Sequence, residues 1–232
     1  MERHFDQELA ALREQLLLMG GRAEAITGKA IRALERRDTA LAEEVFADDH
    51  AIDRLEIDIE ERCVNLLARQ QPMARDLRFI TAALKISNDL ERVGDHAVNI
   101  AGAVQKLSGA PQLKPIVDIP RMEGLASAML RDALDAFVRR DAESARDICR
   151  RDDAVDELNR QIFRELLTYM LEDPSTITRS LELVLVARNL ERVADLATNV
   201  AEEVVFITEA RIIKHNIEEQ PAVGSGDDFG RT

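Results

Sequence analysis

Tryptophan is absent, tyrosine occurs once, and aromatic residues make up 3% of the 232-residue chain. A core with so few rings must be filled by aliphatic side chains, and the abundance of Ala, Leu, Glu and Arg favours helices. Cysteine is also scarce. Cys63 and Cys149 stand far apart without a paired motif, which excludes a disulfide scaffold, argues against thiolate metal ligation and fits a reducing cytosol. No apolar run of about 18 residues occurs, so no membrane span is expected. The opening Met1-Glu-Arg-His-Phe-Asp-Gln-Glu is too polar for a secretory signal, and a cytoplasmic protein is expected. Basic residues are the minority, 31 against 44 acidic, and the net charge is -13. That balance argues against a nucleic-acid phosphate backbone and against electrostatic docking on anionic lipid. It suits cations or a basic protein partner. Neither a nucleophile motif nor a glycine-rich phosphate loop is present. Gly20-Gly21 falls inside a helical pattern, where it permits a kink or close packing. No enzyme activity is expected.

What the chain does have is a repeat, which must be read first because it sets the domain count. Asp89-Leu-Glu-Arg-Val-Gly-Asp-His-Ala-Val-Asn-Ile-Ala101 recurs as Asn189-Leu-Glu-Arg-Val-Ala-Asp-Leu-Ala-Thr-Asn-Val-Ala201, with eight of thirteen positions identical. Each half holds roughly a hundred residues, enough for a small core. The breaks repeat as well. Arg36-Arg37-Asp38 ends one helical pattern with Asp38 placed to cap the next, and Arg139-Arg140-Asp141 does the same 103 residues later. Gln71-Pro72 and Asp173-Pro174 mark the following breaks, the latter with Asp as cap and Pro at the first helical position. Between the halves lie Pro111, Pro115 and Pro120 with Gly109. The expected organisation is a three-helix bundle over 1–108, a linker over 109–120, a second three-helix bundle over 121–214, and a disordered tail over 215–232 rich in Gly, Ser and Asp.

Heptads run through the third and sixth helices. Phe79, Ala83, Ile86, Leu90, Val93, Ala97, Ile100, Val104 and Leu107 alternate steps of four and three, as do Leu183, Val186, Leu190, Val193, Ala197, Val200, Val204 and Ile207. These are bundle seams. The fold class is therefore all-α, two tandem three-helix bundles related by an internal repeat, each elongated because a helix of about 30 residues spans about 45 Å.

The repeat carries an acidic pattern, Glu91-x3-Asp95 and Glu191-x3-Asp195. Residues four apart on a helix are neighbours, so like charges sit side by side and repel. Upstream, Asp49-x3-Asp53 and Asp152-x3-Asp156 repeat at the 103-residue offset. Second and third helices joined by a short turn are antiparallel neighbours, so Asp49, Asp53, Glu91 and Asp95 can converge in one groove, and Asp152, Asp156, Glu191 and Asp195 in another. A lone acidic pair on an outward face is most often simply solvated. Four pairs at matched positions favour cation binding more, although repeat ancestry alone can preserve them. By phase, Glu91 and Asp95 are expected on the surface. Carboxylates without Cys or His suit Mg, Mn, Ca or ferric iron rather than a structural tetrahedral zinc. The absence of Glu-x-x-His counts against a buried di-iron core. Arg92 and Arg192 are read as offsetting acidic repulsion rather than binding an anion. Asn99 and Asn199 extend the stripe as amide ligands or as solvated residues. His96 is read as a packing or supporting residue, since Leu196 holds its place in the second copy. His4, His50 and His215 are scattered.

These motifs resemble the signature of the PhoU family, accessory proteins of bacterial phosphate-specific transport. Glu91-Arg-Val-Gly-Asp95-His-Ala-Val-Asn99, Glu191-Arg-Val-Ala-Asp195-Leu-Ala-Thr-Asn199 and the lead-in Asp76-Leu-Arg-Phe-Ile80 carry the resemblance, which extends over roughly residues 3 to 210. It implies two three-helix bundles, surface carboxylates holding multinuclear iron or zinc clusters, and a homodimer. It also implies a negative regulator joining the ATPase subunit of the phosphate ABC transporter to a phosphate-sensing histidine kinase. Leu196 departs from the family's frequent His and bears on whether the second site takes the same ion. Two rival readings stand beside this one: a carboxylate metalloenzyme, which needs a sheltered pocket and an open metal position, and a metal-free helical adaptor whose acidic stripes meet basic partners.

Overall fold

The computed structural model describes residues 2–113 and 118–213. Within them lie six α-helices: α1 Glu2–Arg36, α2 Thr39–Gln70, α3 Ala74–Ser108, α4 Asp118–Arg139, α5 Ala142–Glu172 and α6 Ile177–Glu209. A single 3-10 turn, Pro174–Thr176, leads into α6. Helices α1, α2 and α3 pack on one another, and α4, α5 and α6 form the second bundle. The expected tail at 215–232 lies outside the described residues, as do Lys214 and linker residues 114–117. Helix α4 starts at Asp118, three residues inside the expected linker. Pro120 is no obstacle there, because the first four N–H groups of a helix have no intrahelical acceptor to lose.

The duplicated Arg-Arg-Asp breaks are duplicated in geometry. Arg37 and Arg140 both take left-handed backbone, with φ of 54° and 55°. The next N–H then reaches back across the helix end, Asp38 to Ala33 and Asp141 to Ala136, so carbonyls left over by the last turn are satisfied. Asp38 accepts from the N–H groups of Ala40 and Leu41, and Asp141 from that of Ser144. Left-handed backbone is usually glycine's. At Arg37 the guanidinium also donates to the carbonyls of Leu107, Ser108 and Ala110, tying the end of α1 to the end of α3.

Both heptad seams are buried along their length, with only Leu107 partly exposed. A second buried stripe lies outside the heptads. Ala82, Gly94 and Ala101 on α3, and Ala187, Ala194, Leu196 and Ala201 on α6, are also buried. Gly94 is covered from within its own bundle, by Asp49 and Ile52 of α2 and Ile26 of α1; beyond each bundle, α3 packs against α6, and α1 against α4, so the two bundles share one continuous core. Along the α3–α6 seam, Lys85 meets Glu203 at 2.9 Å, His96 meets Asn189 at 2.9 Å and Lys106 meets Glu182 at 3.1 Å. Numbers rise on α3 as they fall on α6, so the two helices run antiparallel. Gly20-Gly21 does not interrupt α1, which runs unbroken. Gly20 instead allows close packing, since a β-carbon there would collide with the Leu134 side chain of α4. Among the described residues, no helix is long and apolar enough to cross a membrane.

Candidate metal centres

Each bundle sets its second and third helices side by side as an antiparallel hairpin, and the acidic pairs face the groove between them. In the first bundle, Ile52 is fully buried in the seam, which leaves Asp49 and Asp53 half-buried at its edge. Gly94 of α3 lies against Asp49: a β-carbon on Gly94 would stand 2.5 Å from Asp49 Oδ1 and 3.4 Å from Ile52 Cδ1. The glycine lets a carboxylate from α2 rest on the backbone of α3, one residue from Asp95.

Electrostatics ties the groups together. Asp49 is raised from its ordinary value to about 6, first by burial and then by the negative charges of Asp53 and Asp95. Glu91 is raised to about 7, first by burial and then by Asp95, Glu56, Asp53 and Asp49. In the second bundle Asp152 is raised to about 6 by burial and then by Asp195, Asp156, Asp153 and Glu191. Burial disfavours the charged form, and each nearby carboxylate disfavours it further. Asp49, Asp53, Glu91 and Asp95 thus lie within electrostatic reach of one another along one groove, and Asp152, Asp156, Glu191 and Asp195 along the other. Helical phase predicts Glu91 and Asp95 on the surface, and the structure corrects this for Glu91. Asp95 is exposed, but Asp49, Glu91, Asp152 and Glu191 are half-buried, because the groove wall of the neighbouring helix covers them.

Sequence reasoning misses Glu56. It lies one turn beyond Asp53 and acts on Glu91, and Asn88 of α3 donates to it at 3.4 Å. Its i+3 step from Asp53 continues the stripe and is the available signal. The second bundle has Asn159 at the equivalent place, and its fifth carboxylate is instead Asp153, which acts on Asp152. The arginines of the motif also diverge. Arg192 pairs with Asp195 at 2.9 Å, offsetting acidic charge as expected. Arg92 turns instead towards Asp89, at 3.6 Å. His50 is exposed, 3.5 Å from Asp53. His96 directs Nδ1 to Asn189 across the bundle interface, and Leu196 is buried. The His/Leu difference thus belongs to the α3–α6 seam rather than to the carboxylate grooves.

As they stand, no three acidic, His or Cys groups among the described residues are drawn together tightly enough to enclose an ion. The donor set nevertheless fits a hard cation. It is all oxygen, half-dehydrated and electrostatically frustrated, and Asp152 Oδ1 is buried without a hydrogen-bond partner. A buried, unpaired carboxylate oxygen is costly unless something satisfies it. A sheltered pocket of the kind a metalloenzyme needs is not built here, since both quartets lie along open helix hairpins.

Residues 16–104 and 119–204 each match the PhoU domain. The chain belongs to the PhoU family. It is 44% identical over 209 residues to the phosphate-specific transport system accessory protein PhoU homolog of Aquifex aeolicus, covering 90% of this chain and 95% of that one. It is 45% identical over 203 residues to the protein of the same name in Caulobacter vibrioides, covering 87% and 88%. The crystal structure of PhoU from Pseudomonas aeruginosa superposes with a TM-score of 0.86 at 38% identity, covering 89% of this chain and all of that one. The phosphate transport system regulatory protein PhoU from Streptococcus pneumoniae gives 0.82 at 31% identity, covering 90% and 98%.

Proposed function

We propose that this chain is an accessory protein of phosphate-specific transport that acts as a negative regulator of phosphate uptake and of the phosphate-starvation response. In this reading it couples the ATPase subunit of the phosphate ABC transporter to a phosphate-sensing histidine kinase. Its work is done by surfaces and not by covalent chemistry. The observation that carries the reading is the duplicated groove: two helix hairpins in a phosphate-transport accessory family, each presenting four carboxylates whose mutual repulsion needs a positive counterpart.

Asp49, Asp53, Glu91 and Asp95 would hold one cation site, and Asp152, Asp156, Glu191 and Asp195 the other. All-oxygen donors suit iron, manganese or magnesium, and carboxylates also ligate zinc. A bound cation supplies the charge that lets the four carboxylates ionise together and ties the second helix of each bundle to the third. The groups on the protein release protons as they take up this role, so uptake strengthens as pH rises through the raised values of Asp49, Glu91 and Asp152. The metal-free adaptor remains the second reading, favoured by one observation: Arg192 already neutralises Asp195 in the second groove.

The test is complementation. Deleting the gene should leave phosphate-starvation genes switched on in phosphate-rich medium, and the wild-type chain should switch them off again. A chain with both quartets disarmed, Glu91→Gln and Asp95→Asn with Glu191→Gln and Asp195→Asn, should fold but fail to repress. Full repression by that chain would favour the adaptor. A deletion strain that represses normally, in a genome with no second family member, would remove the regulatory reading altogether.

A further inference from the structure

The groove of the second helix hairpin continues past its carboxylates, and its chemistry changes along the way. On α5, Asp156, Arg160, Phe163 and Leu167 step by four, three and four, so they share one face. On α6, Ile177, Leu181, Val184 and Arg188 step in the same way and lead on to Glu191. The groove therefore passes from carboxylates, through arginines, to an apolar tip. Phe163 and Leu167 are 49% and 40% exposed, and Ile177 and Leu181 42% and 49%. Large apolar side chains left half in water, grouped and rimmed by charge, mark a docking surface.

Between the carboxylates and the tip the groove holds about 620 Å³, walled by Phe163 and Val184 and flanked by Arg160, Arg164, Arg188 and Arg192. Arg160 and Arg164 share the single counter-charge of Glu157, at 3.0 Å each, and Arg188 is exposed beside them. The local balance is thus positive in a chain whose net charge is -13. The first bundle is not built this way. It has Ile57, Glu60 and Glu61 in place of Arg160, Phe163 and Arg164, and Thr81 and Asn88 in place of Leu181 and Arg188. Arginine and aromatic residues are the types enriched at the centres of protein interfaces.

We propose that the α5–α6 groove receives an acidic amphipathic helix of a partner protein. The apolar side of that helix would lie on Phe163, Leu181 and Val184, and its carboxylates would meet Arg160, Arg164 and Arg188. Shape selects a helix. From Ile177 to Arg188 the groove runs about 16 Å, about three turns, and a helix seated in a groove uses apolar anchors at one-turn spacing. Charge selects an acidic one. The guanidinium fork matches a carboxylate, whereas a basic helix is repelled here and a small anion leaves the apolar tip uncovered. The net negative charge of the chain does not forbid the contact, since charges beyond a Debye length, about 8 Å at physiological salt, are largely screened while contacting pairs are not. This docking rests on the reading that the chain works through protein partners, and it requires no metal in either carboxylate quartet.

The test is fluorescence anisotropy of a labelled synthetic peptide against the full chain, at physiological salt and in chelator. The peptide is a helix of about 18 residues, about 27 Å long, with leucine along one face and glutamate on its flanks. The wild-type chain should bind it. Arg160→Glu/Arg164→Glu should weaken binding at least tenfold, and so should lysine in place of the peptide's glutamates. The lysine peptide should regain affinity for the Arg160→Glu/Arg164→Glu chain, which sets misfolding aside as the cause. Leu167→Gln/Leu181→Gln, with every arginine kept, should weaken binding at least fivefold, which a purely ionic attraction would not do. A wild-type chain that does not bind the glutamate peptide would overturn the proposal, as would either variant binding it equally well. Displacement of the peptide by inorganic phosphate, beyond that by chloride at equal ionic strength, would make the groove a site for small anions and overturn it too. A changed oligomeric state of the Arg160→Glu/Arg164→Glu chain in sedimentation equilibrium would give the groove to a second copy, with the same consequence. The peptide reads the groove alone, whereas a deletion strain that represses phosphate-starvation genes normally removes the regulatory reading and leaves the peptide result as it is.

Discussion

Stripped of metal, the protein should become less stable as the pH rises from about 4 to about 8, the reverse of what an acidic protein with paired carboxylates does. Asp49, Glu91 and Asp152 have folded-state pKa values near 6, 7 and 6, against ordinary values of 3.8, 4.5 and 3.8. All three folded values lie above the unfolded ones. Over the intervening window the folded chain holds protons that the unfolded chain has released, so stability falls with pH. The contribution is fully present below the unfolded values and is lost as the pH passes through the folded ones. A pKa that differs by one between the folded and unfolded chain corresponds to about 1.4 kcal/mol. The groups are only half-buried and solvent screens them, so each is worth on the order of 1–2 kcal/mol. Together they lower the melting temperature by on the order of 10 °C between pH 5 and pH 8, at a few degrees per kcal/mol for a chain of this size. Thermal melts in chelator, followed by circular dichroism, check this. Asp49→Asn, Glu91→Gln and Asp152→Asn together should flatten the slope. A wild-type profile that is flat or rises over the window would mean that the grooves are not frustrated.

The second large effect is expected at Gly94. Leucine there must displace Asp49 and press on Ile52 and Ile26, all within 4 Å of the position its β-carbon would take. Overpacking of this kind costs about 1–3 kcal/mol and occasionally more, partly offset by the better helix propensity of Leu, worth about 0.8 kcal/mol. Gly94→Ala is a sharper probe, because the second bundle has Ala194, buried, at the equivalent position. The alanine variant should keep wild-type stability to within about 1 kcal/mol while the leucine variant unfolds at clearly lower denaturant. Equal stability of the two would mean that Ile52 and Ile26 leave room beyond the β-carbon at this position.

Much of this architecture is legible in the order of residues. The heptads mark the buried seams, and the duplicated Arg-Arg-Asp breaks mark the helix ends to the residue. The α3–α6 junction is hidden. Its contacts are polar side chains, Lys85 with Glu203, His96 with Asn189 and Lys106 with Glu182, which read in the sequence as ordinary surface positions. Leu196 in the second copy points to a supporting role for His96, but the partner Asn189 is 93 positions away and on the other bundle. The acidic pairs themselves are plain in the spacing. Their half-burial and suppressed ionisation are not, because both arise from the groove wall that the facing helix provides. Glu56 escapes for the same reason: its distance from Glu91 is set by the α2–α3 crossing and not by chain position.

The most direct test of the duplicated cation sites is metal bound per chain, read by elemental mass spectrometry after equilibrium dialysis of tag-free protein against manganese, zinc or iron. Glu91→Gln with Asp95→Asn should remove the uptake of the first groove and leave that of the second. Glu191→Gln with Asp195→Asn should do the converse. All four substitutions together should abolish stoichiometric binding while leaving the apo protein at least as stable as wild type, because like-charge repulsion has been relieved. A four-substitution chain that binds as much of each metal as wild type would contradict the assignment of these carboxylates.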